Sequence, residues 1–293
     1  MKLVIGTAQL GENYGIAFPG KKIQKSEFIK ILDLAQKNKI QSIDTAAAYG
    51  DSQEILGEIG INGMCVTTKL PKIPEDILKK DINLWLNSTL KKILDDLKLN
   101  TIDVLLIHYI NDLLGKFSND LIDFLQKIKL NNTVKKIGVS IYEPEEINSF
   151  HSFFTPDIIQ CPYNIFDQRI SSSGWLDKLA TKKVEVHARS IFLQGVLLKD
   201  FAELDSYFFK WEDAFLKFEN HCKQSKVSKL EAAIAFVKEE KKIKKILVGV
   251  ESIKQFKEII DAYKKPINSK FVGSCEDINL VNPLSWNILD QKI

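Results

Sequence analysis

IDTAAAYGDS, running from Ile43 to Ser52, is the stretch that decides the architecture of this chain. An apolar strand ends there in a carboxylate, Asp44. A turn of small residues follows, then Tyr49 and a Gly50-Asp51-Ser52 signal for the start of a helix. The pattern describes a strand-to-helix loop that presents two polar groups at the carboxyl end of a strand, where barrel enzymes hold their reacting groups. The next two apolar strands, CVTTKL (65–70) and TIDVLLIH (101–108), also finish in proton-active side chains, Lys69 and His108. Four ionisable groups are thereby brought to one mouth.

The same alternation extends in both directions. Leu3 to Thr7 is a strand that enters a glycine-rich loop (Gly11, Gly15, Gly20), and Ser26 and Glu27 then open a helix with apolar spacing through Phe28, Ile31, Leu32 and Ala35. SIDTA precedes a helix over about Gln53 to Ile59, and CVTTKL precedes one over about Pro74 to Leu97. TIDVLLIH leads to a helix near Asp120 to Lys129, and KKIGVS to one starting at Pro144 and Glu145. DIIQCP is followed by the loop YNIFDQRISSSG and a short helix around Trp175 to Ala180. VEVHARS is followed by an insertion to about Asp213 and helices over Ala214 to His221 and Leu230 to Glu239. KKILVGV is the eighth strand, and Ser252 caps IKQFKEIIDAY.

Strands of nearly continuous Val, Ile and Leu indicate a parallel sheet buried on both faces, and eight such units close as an α/β (TIM) barrel forming one domain over 1–293. A doubly wound open sheet is the main rival, but it carries a G-x-G-x-x-G after a strand, which is absent here. Beyond Tyr263 the chain reads as an irregular tail, through Pro266, Pro283 and Trp286, placed over the catalytic mouth. Phe201, Tyr207, Phe208, Phe209 and Trp211 in the insertion are either helix-packing residues or a substrate wall.

A hydrophobic fraction of 45% with 27% charged residues suits a globular enzyme with a sizeable core. The 41 basic and 38 acidic residues are intermixed, which gives no support to a nucleic-acid or membrane partner. Cysteines 65, 161, 222 and 275 lie far apart without a C-x-x-C, so neither a disulfide framework nor a metal site is suggested. No run approaches the ~18 apolar residues of a membrane span. The opening MKLVIGTAQLG has too short an apolar segment for a signal peptide, and a cytoplasmic location is expected.

Singly, an Asp after a strand is commonly a turn residue and a strand-end Lys a solvated charge. Three consecutive strands offering these types at the same end point instead to a shared site. A tyrosine with a reference pKa of about 10 is a poor acid at neutral pH, and a nearby ammonium stabilises its phenolate and lowers that value. Asp44 would keep Lys69 charged and oriented, and His108 would hydrogen-bond a carbonyl oxygen beside Tyr49. That is a proton donor for a carbonyl undergoing reduction. His151 and His221 read as solvated, while His187 alternates within its strand and could face either way.

In GTAQLG, IDTAAAYGDSQEILG, TTK, LLIH, KKIGVS and VGVESIKQFKEI, taken in order, the chain resembles the aldo-keto reductase family. The resemblance implies an eight-stranded barrel, a nicotinamide cofactor bound without a Rossmann fold, and a catalytic tetrad of Asp44, Tyr49, Lys69 and His108. It assigns the nicotinamide carboxamide to Ser140 and Gln160, and the ring-stacking position, normally aromatic, to Arg189. Gly6, Thr7, Asp44 and Ser190 also fall on the cofactor's path. The pyrophosphate would run along Phe192-Leu193-Gln194-Gly195-Val196-Leu197, and the adenosine end would meet Ser252, Lys254, Gln255 and Glu258. Ile141 stands where the family usually has Asn, Gln255 where many members have Arg, and Ile259 where Asn is expected. The implied cofactor is NADP(H), with NAD(H) as the alternative and Lys254 as the cation for a 2′-phosphate.

GTAQLGENYGI, ARSIFLQGVLL and VGVESIKQF are similar to bacterial members associated with sugar and surface-polysaccharide metabolism, implying a sugar or nucleotide-sugar as the carbonyl or sugar substrate; a monomer or weak homo-oligomer is expected. The rival expectation is a non-catalytic, NADPH-binding regulatory subunit of the same fold.

Overall fold

The computed structural model describes residues 1–12, 22–267 and 271–286. Eight parallel strands close into a barrel in sequence order, β1 pairing with β8. They are β1 Leu3–Gly6, β2 Ser42–Asp44, β3 Cys65–Leu70, β4 Ile102–Ile107, β5 Val134–Ser140, β6 Ile158–Pro162, β7 Glu185–Arg189 and β8 Ile243–Gly249. The expected barrel is present, with strand ends differing by a residue or two, as fraying termini do.

Alternation along each strand sets the site. Ser42 and Asp44 on β2 point inward, as do Cys65, Thr67 and Lys69 on β3 and Glu185, His187 and Arg189 on β7. In each set the first members line a small cavity at the amino end of the barrel and the last lines a larger cleft at the carboxyl end, as the two-residue period of a strand requires. Val104, Leu106 and Ile158 fill the space between as an apolar layer of their own. His187 thus belongs to the floor, buried beside Glu185 at 3.5 Å, with Lys136 on the same carboxylate.

Outside the barrel, helices seal the other strand faces. The helix Ile82–Leu97 buries Ile82, Leu86, Leu90, Ile93 and Leu97 at helical spacing, and Ile253–Lys264 buries Phe256, Ile259 and Ile260. The former starts later than the expected Pro74, because residues 74–81 form turns and carry an exposed Leu78 instead of a buried stripe. Ala8–Gly11 is a short helix where a loop was expected, and Ile110–Leu114 adds a turn after β4. Gly15 and Gly20 lie outside the described residues.

The insertion after β7 forms 3₁₀ turns at Phe201–Glu203 and Ser206–Trp211, leading into the helices Glu212–Ser225 and Lys229–Glu239. Phe208, Trp211, Phe215, Phe218 and Phe166 make a second core with Trp286 of the tail, whose ring meets Phe208 edge-on at 5.0 Å. None of the insertion's five aromatics lines the cleft among the described residues: Phe201, Tyr207, Phe208 and Trp211 pack in the second core, and Phe209 is exposed. The tail is less irregular than expected. It holds a short helix, Ile278–Val281, and a 3₁₀ turn, Pro283–Ser285, tied down by Tyr207 Oη donating to the Asn279 carbonyl and Trp211 Nε1 donating to Asp277. Leu284 on that turn borders the cleft at the carboxyl end of the barrel.

Candidate active site

Asp44 closes β2 and Lys69 is the last inward residue of β3; both are 2% exposed. Lys69 Nζ donates to Asp44 Oδ1 at 2.5 Å, to the Thr45 carbonyl at 2.8 Å and to Tyr49 Oη at 3.3 Å. An ammonium has three donors, and all are taken, so its position is fixed. Burial alone would lower the Lys69 pKa, but Asp44 and Tyr49 outweigh it and hold the ammonium above its ordinary value. Asp44 Oδ2 accepts a second hydrogen bond, from Gln160 Nε2 at 2.7 Å. Strand-by-strand reading did not foresee this bond because β2 and β6 sit across the barrel from each other.

Tyr49 reaches Lys69 from a loop whose backbone is pinned at both ends. The Thr45 amide donates to the Thr67 carbonyl at 2.8 Å, and the Ser52 amide to the Tyr49 carbonyl at 3.0 Å. Ser52 begins the helix Ser52–Ile59 and is fully buried. Its hydroxyl lies 2.8 Å from that of Thr7, which in turn donates to the Asp44 carbonyl at 3.2 Å. The helix-start signal was therefore read correctly but for a different reason: Asp51 makes no side-chain cap and pairs with Lys22, while Ser52 anchors the loop to β1.

The Tyr49 pKa lies above its ordinary value. Burial is the largest cause, and it outweighs the Lys69 cation expected to lower it. Tyr49 is thus fully protonated at neutral pH. His108, directly after β4, stands edge-on to Tyr49 with ring centroids 6.0 Å apart. Burial, then Lys69 and Arg189, push its pKa down to about 3, so the imidazole is neutral. Its Nδ1 is buried without a hydrogen-bond partner among the described residues. An unpaired lone pair costs less than an unpaired N–H, which places the proton on Nε2 and makes that atom a donor. A carbonyl oxygen between Tyr49 Oη and His108 Nε2 would receive two hydrogen bonds, one from a group able to release its proton.

The residues assigned from sequence line one cleft of about 480 Å³ that contains this corner, apart from Ser252, Lys254 and Glu258 and from Leu193, Val196 and Leu197, which are buried in the second core. Ser140 and Gln160 are register partners on β5 and β6. With its amide nitrogen on Asp44, Gln160 keeps its amide oxygen for a ligand. After β7, Ser190, Leu193, Gln194 and Gly195 all have positive φ, 56°, 47°, 51° and 89°. The Leu193 amide donates to the Ser190 carbonyl and the Gly195 amide to the Phe192 carbonyl, each at 2.9 Å, so the turn is held by its own hydrogen bonds.

At the far end the expectation needs correction. Ser252 Oγ accepts from the Gln255 amide at 3.2 Å, Glu27 accepts from the Ile253 amide at 3.0 Å, and Gln255 Oε1 accepts from the Glu251 amide at 2.8 Å. The first amides of this helix are thus satisfied by Ser252 and by Glu27 of a neighbouring helix, and Ser252 does not line the cleft. Glu251 does line it, its carboxyl pKa raised by burial. Glu251, Tyr142 and Leu284 were not foreseen as lining residues. Tyr142 could have been, two residues beyond Ser140, whereas nothing local to Leu284 signals its place.

Comparison with known proteins bears on the fold and the family. A protein of Bacillus halodurans described as an aldo-keto reductase, in its holo form, has 18% identity and a TM-score of 0.71 over 90% of this chain and 87% of its own. One of Pseudomonas aeruginosa described in the same terms has 16% identity and a TM-score of 0.64, covering 89% of each chain. At such identities they speak for the fold alone. No curated protein matches, and no helix among the described residues is long and apolar enough to cross a membrane. The family model for the aldo/keto reductases, however, aligns from residue 2 to residue 280, from the start of β1 to the tail helix and through every strand of the barrel, and on that match the chain belongs to the aldo/keto reductase family.

Proposed function

We propose that this protein is an NADP(H)-dependent oxidoreductase that reduces an aldehyde or ketone, or oxidises the corresponding sugar hydroxyl, with Asp44, Tyr49, Lys69 and His108 as its catalytic set. The observation that carries the reading is the buried chain from Asp44 through Lys69 to Tyr49, ending beside a neutral histidine. When bound, the dihydronicotinamide supplies a hydride to the carbonyl carbon. His108 and Tyr49 position the carbonyl oxygen, and Tyr49 gives it a proton as negative charge develops there. Lys69, 3.3 Å away, then stabilises the phenolate, and Asp44 holds Lys69 as ammonium throughout.

Cofactor binding is proposed along the cleft. Ser140 and the free oxygen of Gln160 take the carboxamide, and the turn from Ser190 to Gly195, with positive φ at Ser190, Leu193, Gln194 and Gly195, takes the pyrophosphate. Lys254, exposed next to the cleft-lining Gln255, is the cation proposed for a 2′-phosphate. A sugar or nucleotide-sugar is the proposed substrate class, supported by the likeness in sequence alone.

The test is a panel of aldehydes, ketones and sugars, each followed at the NADPH absorbance band with purified protein. Turnover of any member supports an enzyme. Cofactor binding without turnover across the panel supports the regulatory-subunit reading.

A further inference from the structure

Arg189, at the end of β7, takes the place expected for a ring that stacks on the nicotinamide, and the structure shows what holds it there. Its Cζ lies 4.2 Å from the centroid of the Tyr142 ring. One guanidinium nitrogen donates to the Ile141 carbonyl at 3.0 Å, and the other lies 3.3 Å from the hydroxyl of Ser190. Two departures from the family pattern therefore meet each other: the backbone of Ile141, which stands where the family has Asn, clamps the arginine that replaces an aromatic. Tyr142 covers one face of the guanidinium plane, so a flat ligand ring in the cleft would stack on the other.

The charge around this point does not cancel. Asp44 and Lys69 neutralise each other at 2.5 Å, His108 is neutral, and Arg189 makes no ion pair among the described residues. The charge also reaches the reacting corner, since it helps to lower the pKa of His108 and opposes the rise at Tyr49. A dihydronicotinamide ring is uncharged, and loss of hydride makes it a pyridinium cation.

Resting on the cofactor site proposed above, we infer that Arg189 selects the redox state of the cofactor: the guanidinium, held against Tyr142 by the Ile141 carbonyl, accepts the neutral reduced ring and repels the oxidised cation. Like charges in stacking contact at the half-buried Arg189 disfavour the oxidised form by more than they would in bulk solvent. The consequence is rapid loss of the oxidised cofactor after each turnover and weak inhibition by it. In exchange, the bound reduced cofactor is a milder hydride donor, because its product is destabilised where it forms.

The test is a pair of titrations on the full chain: NADPH by its fluorescence, and NADP⁺ by competition, with the NADH and NAD⁺ pair in parallel. The wild type is expected to bind the oxidised form at least about tenfold more weakly than the reduced form. Arg189→Met should narrow that ratio by about tenfold, equivalent to lowering the potential of the bound couple by about 30 mV. Arg189→Lys, which keeps the charge, should retain most of the ratio. Arg189→Gln, which keeps an amide donor for the Ile141 carbonyl, supplies the neutral arm if Arg189→Met does not fold. A wild-type ratio near one, or a neutral variant that weakens both forms equally, overturns the inference and leaves Arg189 as a stacking surface. Failure of the wild type to bind any nicotinamide nucleotide overturns the cofactor site itself, an outcome distinct from both.

Discussion

Lys69 directs all three of its N–H groups to Asp44, Thr45 and Tyr49, so removing any one partner changes what the other two experience. Asp44 then matters through Lys69, and the two should behave as one unit. Lys69→Met should raise the Tyr49 pKa further and slow hydride transfer strongly, because the phenolate loses its cation. Asp44→Asn should be milder, since the ammonium survives with a poorer partner. In a double-mutant cycle of hydride-transfer rates the coupling should fall at about 0.5–3 kcal/mol. Simple additivity would make Asp44 a structural turn residue.

His108 offers a second check, on stability. Its pKa is about 3 in the folded chain against 6.5 for the free side chain. Between those values the unfolded state binds the extra proton, so stability rises with pH: the contribution is complete above 6.5 and is lost as pH falls toward 3. Urea midpoints measured across that window should fall less steeply for His108→Gln than for wild type; parallel profiles would contradict a neutral buried imidazole. The identities of these groups were legible because each ends a strand. The link between Gln160 and Asp44, and the dominance of burial over Lys69 at Tyr49, depend on distances across the barrel that strand order does not supply.

At the scale of the element, the loop that carries Tyr49 is seated by close contact between backbones. A Cβ added to Gly11 would meet the Tyr49 carbonyl oxygen at 1.8 Å, and Gly50, at φ +51°, packs on the Gly11 carbonyl in the same way. The helix Ala8–Gly11 can abut the loop only with glycine at its end. Gly11→Ala should therefore cost about 1–3 kcal/mol as an overpacked site and lower activity by displacing Tyr49, read from thermal unfolding and turnover together. Unchanged values for both would show that the loop has slack. The short helix itself escaped sequence reading because four residues are too few to show a period.

The helix Ile253–Lys264 carries the cofactor-choice prediction. Its first turn is already capped by Ser252 and Glu27, and Lys254 in that turn is the cation proposed above for a 2′-phosphate. Lys254→Ala should weaken NADPH by roughly tenfold, about 1.5 kcal/mol for a lost charged hydrogen bond, and leave NADH nearly unchanged. Equal losses for the two cofactors would remove Lys254 from that role, and Glu251, lining the same end, would then argue for a 2′-hydroxyl.

For the molecule as a whole, periodicity revealed the barrel because eight apolar strands repeat at the spacing of βα units. The same periodicity said nothing about how the insertion and tail join. Phe208, Trp211 and Trp286 come from segments far apart in sequence, and only their shared core brings Leu284 to the cleft. The whole assembly still admits a chain that binds a cofactor without using it, and the proton donor separates the two cases. The direct measurement is single-turnover oxidation of bound NADPH by a carbonyl substrate, in wild type and in Tyr49→Phe. The expected result is unchanged fold and cofactor affinity with the rate reduced on the order of 10² to 10⁴, the usual worth of a general acid. A Tyr49→Phe protein that turns over at the wild-type rate would contradict the account.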